Sequence, residues 1–183
     1  MEATSTRAGC TIWLTGLPGS GKTTLAVQLA SALRGAGCAA TVLDGDALRQ
    51  GISKGLGLDR AGRDEAVRRA GEAAVQAAGA GEVAIVALVS PYCAARNTVR
   101  TRHAAEGLAF AEVYIDCPLA VVQQRDPKGL YAKAAARAIT GMTGVDDPYE
   151  PPASPELRLA TNERPVAECV AALLELVARL CTS

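Results

Sequence analysis

The stretch Gly16-Leu17-Pro18-Gly19-Ser20-Gly21-Lys22-Thr23-Thr24 decides how this chain is read. Its spacing, Gly-x-x-x-x-Gly-Lys-Thr over residues 16–23, is that of a phosphate-binding loop, and its flanks supply the context such a loop needs. Before it runs the apolar segment Cys10–Gly16, expected as a strand. After it, Lys22–Arg34 has helical spacing. Glycines let successive backbone N–H groups turn inward on phosphate oxygens, and the helix start adds partial positive charge. In that arrangement Lys22 reaches the outer phosphates of a nucleoside triphosphate and Thr23 offers its hydroxyl to Mg²⁺.

Working outward, short apolar runs alternate with longer helical patterns. Ala39–Asp44, Val83–Ser90, Phe110–Asp116 and a weaker Leu157–Ala160 fit buried strands. Arg63–Ala78, Thr98–Glu106, Val122–Arg125 and Pro165–Leu180 fit helices, the last opening on a favourable first-turn proline. The βαβα rhythm implies an α/β fold, a mostly parallel sheet with helices on both faces in three layers. Gly51–Gly62 and Asp126–Pro155 break the rhythm with glycine and proline turns. A long irregular insertion of this kind is expected to be a lid, placed at about residues 126–151.

The bulk composition narrows the classes. Residues 1–183 read as one domain, long enough to bury its own core without staples. Nineteen basic and nineteen acidic residues cancel, so no global field recruits nucleic acid or an anionic membrane. Six dispersed cysteines without a C-x-x-C pair, beside one histidine, argue against a zinc cluster. The polar start Met1–Arg7 lacks a signal-peptide core, no apolar run reaches membrane-spanning length, and the expected compartment is a reducing cytoplasm.

A phosphate loop alone does not separate kinases from GTPases or ATPases. No Asn-Lys-x-Asp guanine-reading run is present. A kinase needs an acceptor site, and Val42-Leu43-Asp44-Gly45-Asp46 with Arg49 offers one. Two aspartates at the carboxyl end of a strand sit where α/β folds bind ligands. One carboxylate can join the Mg²⁺ shell and the other can orient an acceptor hydroxyl, whereas an Asx turn capping the next helix is the bland alternative. Arg49, one turn on, suits an anionic acceptor.

These residues, together with Arg63, Glu65 and Arg68-Arg69, Val89-Ser90-Pro91-Tyr92, Arg125–Tyr131 and Thr143–Pro151, resemble adenylylsulfate kinase, collinearly from about Thr11 to Leu159. The resemblance implies a P-loop kinase fold and a cytoplasmic, homodimeric, Mg²⁺-dependent enzyme. Its small-molecule acceptor is adenosine 5′-phosphosulfate (APS), phosphorylated on the 3′-hydroxyl. By position, Lys22, Asp46 and Ser90 are the candidate catalytic residues. Ser90 matches a serine described in the family as a phosphoserine intermediate, and direct in-line transfer would instead make it an acceptor contact. Gly16–Thr24 and Arg125 are assigned to ATP, and Thr23 and Asp44 to the metal. Asp44, Asp46, Arg49, Arg63, Ser90, Pro91, Tyr92, Lys128, Gly129, Leu130, Met142 and Thr143 are assigned to the acceptor. For Arg68 and Arg69 a solvated helix face is the alternative, and for Tyr131 simple packing under the lid.

The departures from the family pattern gather on the acceptor side. Two family phenylalanines that sandwich the acceptor's adenine are Leu58 and Met142 here. An acceptor-binding asparagine has become Ala66, and Ala47, Cys93 and Ala135 replace other polar residues. Two alternatives follow from the edited side. One is a related kinase acting on a different small hydroxyl compound. The other is a nucleotide-binding module without catalysis, which the retained Lys22, Thr23, Asp44 and Asp46 count against.

Overall fold

The computed structural model describes residues 9–181; Met1–Arg7, read above for targeting, lies outside them. Five parallel strands form one sheet in the order β2-β3-β1-β4-β5: β1 Cys10–Thr15, β2 Ala40–Asp44, β3 Val83–Ala87, β4 Ala109–Asp116 and β5 Leu157–Ala160. Seven helices among the described residues connect and cover them: α1 Lys22–Gly35, α2 Gly45–Gln50, α3 Arg60–Gly79, α4 Cys93–Ala105, α5 Leu119–Arg125, α6 Leu130–Ala135 and α7 Val166–Leu180.

The strand period of two explains the layering. On β1, Cys10, Ile12 and Leu14 join a core with α1 and α7 residues such as Leu25, Leu29, Cys169 and Leu173. Trp13 points the other way, onto Val67, Ala70 and Ala74 of α3 and Val99 of α4. Both faces are covered, so every residue of β1 is buried and the strand reads as a continuous apolar run rather than an alternation. Each large aliphatic side chain fully buried here contributes about 1.5–3 kcal/mol relative to exposure. The lone histidine, His103, lies in the core. Its Nε2 meets Thr11 Oγ1 at 2.9 Å and its Nδ1 meets the Val99 carbonyl at 2.9 Å. Burial pushes its pKa below the ordinary value, which suits a neutral structural residue.

Several element boundaries move. The predicted Thr98–Glu106 helix begins five residues earlier, at Cys93, because the first-turn N–H of Cys93 donates to the Glu150 carboxylate at 2.7 Å. The Arg63–Ala78 helix begins at Arg60, where Asp59 accepts from Gly62 N. Within Gly51–Gly62, only 51–59 is irregular. The helix that the Asx turn caps is α2: Asp44 accepts from Asp46 N at 3.0 Å and starts a six-residue helix. The strand Val83–Ser90 stops at Ala87, and the chain then turns through Ser90, whose φ of +40° lies in the left-handed region. The 126–151 insertion is not wholly irregular. α6 lies inside it, started by Asp126, whose carboxylate accepts from Tyr131 N and Ala132 N.

Candidate active site

The carboxyl ends of β1, β2 and β3 open into a cleft of about 650 Å³, lined by the phosphate loop, Asp44–Asp46, parts of α3, and the 126–143 segment. Topology puts it there: the sheet order reverses beside β1, and ligands of open α/β sheets bind outside the strand ends at such a point.

The loop is built from backbone constraints. Gly21 adopts φ +101° at the start of α1, a conformation that L side chains rarely accept. At Gly16 a Cβ would stand 2.4 Å from the Ile115 carbonyl, so only glycine fits. Lys22 is buried, and its Nζ donates to the carbonyls of Gly16 and Leu17 at 2.8 Å each and to Ser20 Oγ at 3.3 Å. Burial, with Lys128 nearby, lowers its pKa to about 7. Thr23 donates its hydroxyl to Asp44 Oδ2 at 2.7 Å, while Asp44 Oδ1 caps α2. The Asx-cap reading of Asp44 is therefore realised on Oδ1, while Oδ2 meets the Thr23 hydroxyl.

Beyond the loop, the cleft wall carries Arg125, Thr161 and Arg164. Arg125 donates to Thr161 Oγ1 and O, and Thr161 Oγ1 donates to Ser20 O at 2.8 Å. Sequence reasoning missed Thr161 and Arg164. They follow a weak strand and carry no motif.

On the opposite side, Asp46, Arg49, Arg63, Ser90 and Pro91 line the cleft, with Leu58, Ala66, Lys128, Leu130, Met142 and Thr143. Lys128 forms an ion pair with Asp46, so a lysine of the 126–151 insertion and the candidate acceptor-orienting carboxylate meet across the cleft. Arg63 Nε donates to Leu58 O at 2.6 Å, its Nη1 to Thr143 Oγ1 at 2.6 Å, and its Nη2 to the Gly141 carbonyl. Ser90 is buried and accepts the Trp13 indole N–H at 3.0 Å. The strained turn at Ser90 is held by Arg96, which donates to Ser90 O at 2.6 Å and pairs with Glu112. Strain of this kind costs on the order of 1–3 kcal/mol and persists where surroundings enforce it. Trp13, Arg96 and Glu112 were not foreseen as supports. The one signal was a single tryptophan inside a strand.

Other expected residues lie off the cleft lining. Tyr92 is buried with its hydroxyl on Asp147, and Gly129 forms the left-handed start of α6. Gly16 and Leu17 serve as carbonyl acceptors for Lys22. Tyr131, by contrast, does line the cleft; it packs with Cys117, Val122 and Met142 and donates to Pro18 O at 3.0 Å. Arg68 is an exposed residue paired with Glu65 and Glu72. Arg69 pairs with Glu65 and reaches Ile52 O. Of the six departures in sequence, Leu58, Ala66 and Met142 line the cleft, whereas Ala47, Cys93 and Ala135 do not. The acceptor wall is less altered than the sequence suggested, because Cys93 sits at the start of α4 beside Glu150 and Arg96.

Known proteins share this build. The family model for adenylylsulphate kinase matches residues 8–160. An adenylyl-sulfate kinase of Synechococcus sp. (strain JA-3-3Ab) is 48% identical over 164 residues, covering 90% of this chain and 91% of that protein. One of Saccharomyces cerevisiae is 44% identical over 167 residues, covering 91% and 83%. The structure of the Mycobacterium tuberculosis APS kinase CysC in complex with AMPPNP and APS superposes with a TM-score of 0.91 at 42% identity, covering 93% of this chain and 98% of that one. The sheet with its phosphate loop, and the sequence over most of its length, agree: this chain belongs to the adenylylsulphate kinase family.

Proposed function

We propose that this chain transfers the γ-phosphate of ATP to the 3′-hydroxyl of adenosine 5′-phosphosulfate. The observation that carries the proposal is one cleft with two chemically different walls in a chain of this family. A phosphate loop with Thr23 and Asp44 forms one wall, and Asp46, Arg49, Arg63 and Ser90 face it from the other. Lys22, Gly19, Ser20, Gly21, Thr23 and Thr24 would hold the triphosphate, and Arg125 would flank its base. The Thr23 hydroxyl and Asp44 carboxylate are hard oxygen donors 2.7 Å apart, a pair that fits Mg²⁺. Among the described residues no group of three or more His, Cys, Asp or Glu could hold a metal by itself, so phosphate oxygens would complete the shell. Bound there, Mg²⁺ would neutralise charge on the β- and γ-phosphates.

Asp46 orients the acceptor hydroxyl and takes its proton as the new P–O bond forms and ADP leaves. Lys128, paired with Asp46 in this structure, turns toward the transferring phosphoryl group once the hydroxyl takes its place. Arg49 and Arg63 face the acceptor's phosphosulfate. The 126–151 segment closes as a lid over both substrates and excludes water, which otherwise competes as acceptor. The same reading makes the chain a single-domain, cytoplasmic homodimer; light scattering on the purified protein tests the dimer.

Leu58 and Met142 support a second reading, in which the acceptor is another small anionic alcohol, because neither offers an aromatic face to an adenine. One assay separates the two. Enzyme, ATP, Mg²⁺ and APS are mixed and the 3′-phosphorylated product is measured. Product formed at a kcat of order 1–10 s⁻¹, as typical for kinases and metabolic enzymes, supports the first. Tight ATP binding without product sinks it.

A further inference from the structure

Tyr92 is 2% exposed, yet its hydroxyl meets both carboxylate oxygens of Asp147, at 3.0 and 3.1 Å. Asp147 Oδ2 lies 3.6 Å from Arg63 Nε, and the Arg63 side chain is only 11% exposed. A guanidinium that dry needs an opposite charge and filled donor positions. Asp147 supplies the charge, and Leu58 O, Thr143 Oγ1 and Gly141 O fill three of the five N–H groups. One N–H on each terminal nitrogen is left for a ligand.

The contacts close into a ring. Arg63 binds Thr143, Thr143 bridges to Asp147 through the backbone, Gly144 N donates to Asp147 O at 2.7 Å, and Asp147 returns to Arg63. Tyr92 fastens this ring to the connection after Ser90-Pro91. Arg60, one turn before Arg63 on α3, lies over the Tyr92 ring at 4.4 Å from its centre. Three segments far apart in sequence therefore meet on one carboxylate.

We infer that Tyr92 and Asp147 are positioning residues for the acceptor side: they hold the Arg63 guanidinium and the loop 139–147 in the geometry that receives the acceptor, without touching the acceptor. This rests on the reading that Arg63 faces the acceptor. Burial, then Asp147, pushes the Tyr92 phenol above its ordinary pKa, so it stays protonated and donating across the working range. Neither residue lines the cleft, which separates their role from that of Arg63.

The test uses Tyr92→Phe, Asp147→Asn and the double variant in the full chain. Tyr92→Phe keeps the ring and the packing, so it keeps the fold. The KM for the acceptor should rise about tenfold in Tyr92→Phe, the scale of a hydrogen bond to a charged group, and further in Asp147→Asn. The KM for ATP and kcat should stay within twofold. In the double variant Tyr92→Phe should add less than it does alone, because the amide left at 147 is a neutral and weaker acceptor for the phenol. Amide exchange in 139–147, measured without any substrate, should quicken by a similar factor. Multiplicative effects, an equal rise in both KM values, or unchanged acceptor KM and exchange would each overturn the inference. A wild-type chain that does not phosphorylate APS sinks the proposed activity instead, and the exchange measurement still decides the positioning role.

Discussion

On the donor side of the cleft, the lining of the phosphate loop comes from the unbroken run 18–24, beside Asp44, the last residue of β2. On the acceptor side, the facing groups come from α2, α3, the turn at Ser90 and the 126–143 segment, joined by contacts such as Lys128–Asp46 and Arg63–Thr143. The donor half is mostly backbone, fixed by glycines and by a helix start. The acceptor half is mostly side chains brought together by the fold. The difference teaches where such an enzyme can change. On the proposed function, a substitution in the donor half should break phosphate binding, whereas one in the acceptor half should retune what is bound. The departures that reach the cleft obey that division, since the phosphate loop is intact and Leu58, Ala66 and Met142 line the side opposite it.

The sharpest way to break the comparison is Lys22→Ala. If the donor half is indispensable, transfer should fall by roughly 10³-fold or more, the scale set by removing a preorganised charge from a transition state. Circular dichroism should show the fold retained, because Lys22 contacts only its own loop among the hydrogen bonds seen. Turnover at the wild-type rate would refute the assignment. Asp46→Asn comes next, with kcat down on the order of 10²-fold and the KM for ATP little changed. A rise in the KM for ATP as large as the fall in kcat would move Asp46 out of the acceptor half.

A third test concerns charge on the donor side. Lys22 has its pKa lowered to about 7, so the native state holds fewer protons than the unfolded one between pH 7 and the ordinary lysine range. The unliganded protein therefore gains stability from this group as pH rises through that window. A bound triphosphate reverses the preference by favouring the charged amine. Nucleotide binding above pH 7 should take up a proton, and affinity should fall by up to tenfold per pH unit. Calorimetry in buffers of different ionisation enthalpy measures the uptake. Lys22→Arg, which cannot lose its charge, should flatten the dependence. A flat wild-type profile would show that Lys22 is already charged.

The same contrast explains what could be read from the sequence. The phosphate loop was legible because its function is local: nine consecutive residues carry the spacing, the glycines and the lysine. The five strands were legible as apolar runs, since a parallel sheet buries both faces. The start of α4 was not, because the group that caps Cys93 is Glu150, 57 residues away. α2 is too short to show a period. Tyr92 was placed with the acceptor residues by its neighbours Ser90 and Pro91. Its side chain turns instead to Asp147, 55 residues on, and no spacing in the sequence encodes that pairing. The sequence suggests an anion clamp at Arg63, and its binding of Gly141 and Thr143 emerges only when α3 and the 126–151 insertion are seen together.

The smallest expected effect probes the acceptor wall itself. Leu58 is 53% exposed and lines the cleft, so a phenylalanine there has room to lie over a base. Stacking of that kind is worth about 1–3 kcal/mol, and at a half-exposed site the lower end applies, so Leu58→Phe should lower the KM for APS about fivefold. Met142 is a different case. It is 6% exposed and packed with Cys117, Val122 and Tyr131, so a larger ring must displace neighbours at a cost of about 1–3 kcal/mol. Met142→Phe alone should therefore gain little affinity and lose some thermal stability. The double variant should match Leu58→Phe in KM unless the cluster relaxes around the new ring. If both single variants weaken the acceptor's binding, the wall is shaped for something other than adenine. The difference between the two halves would then be one of substrate choice rather than of tolerance.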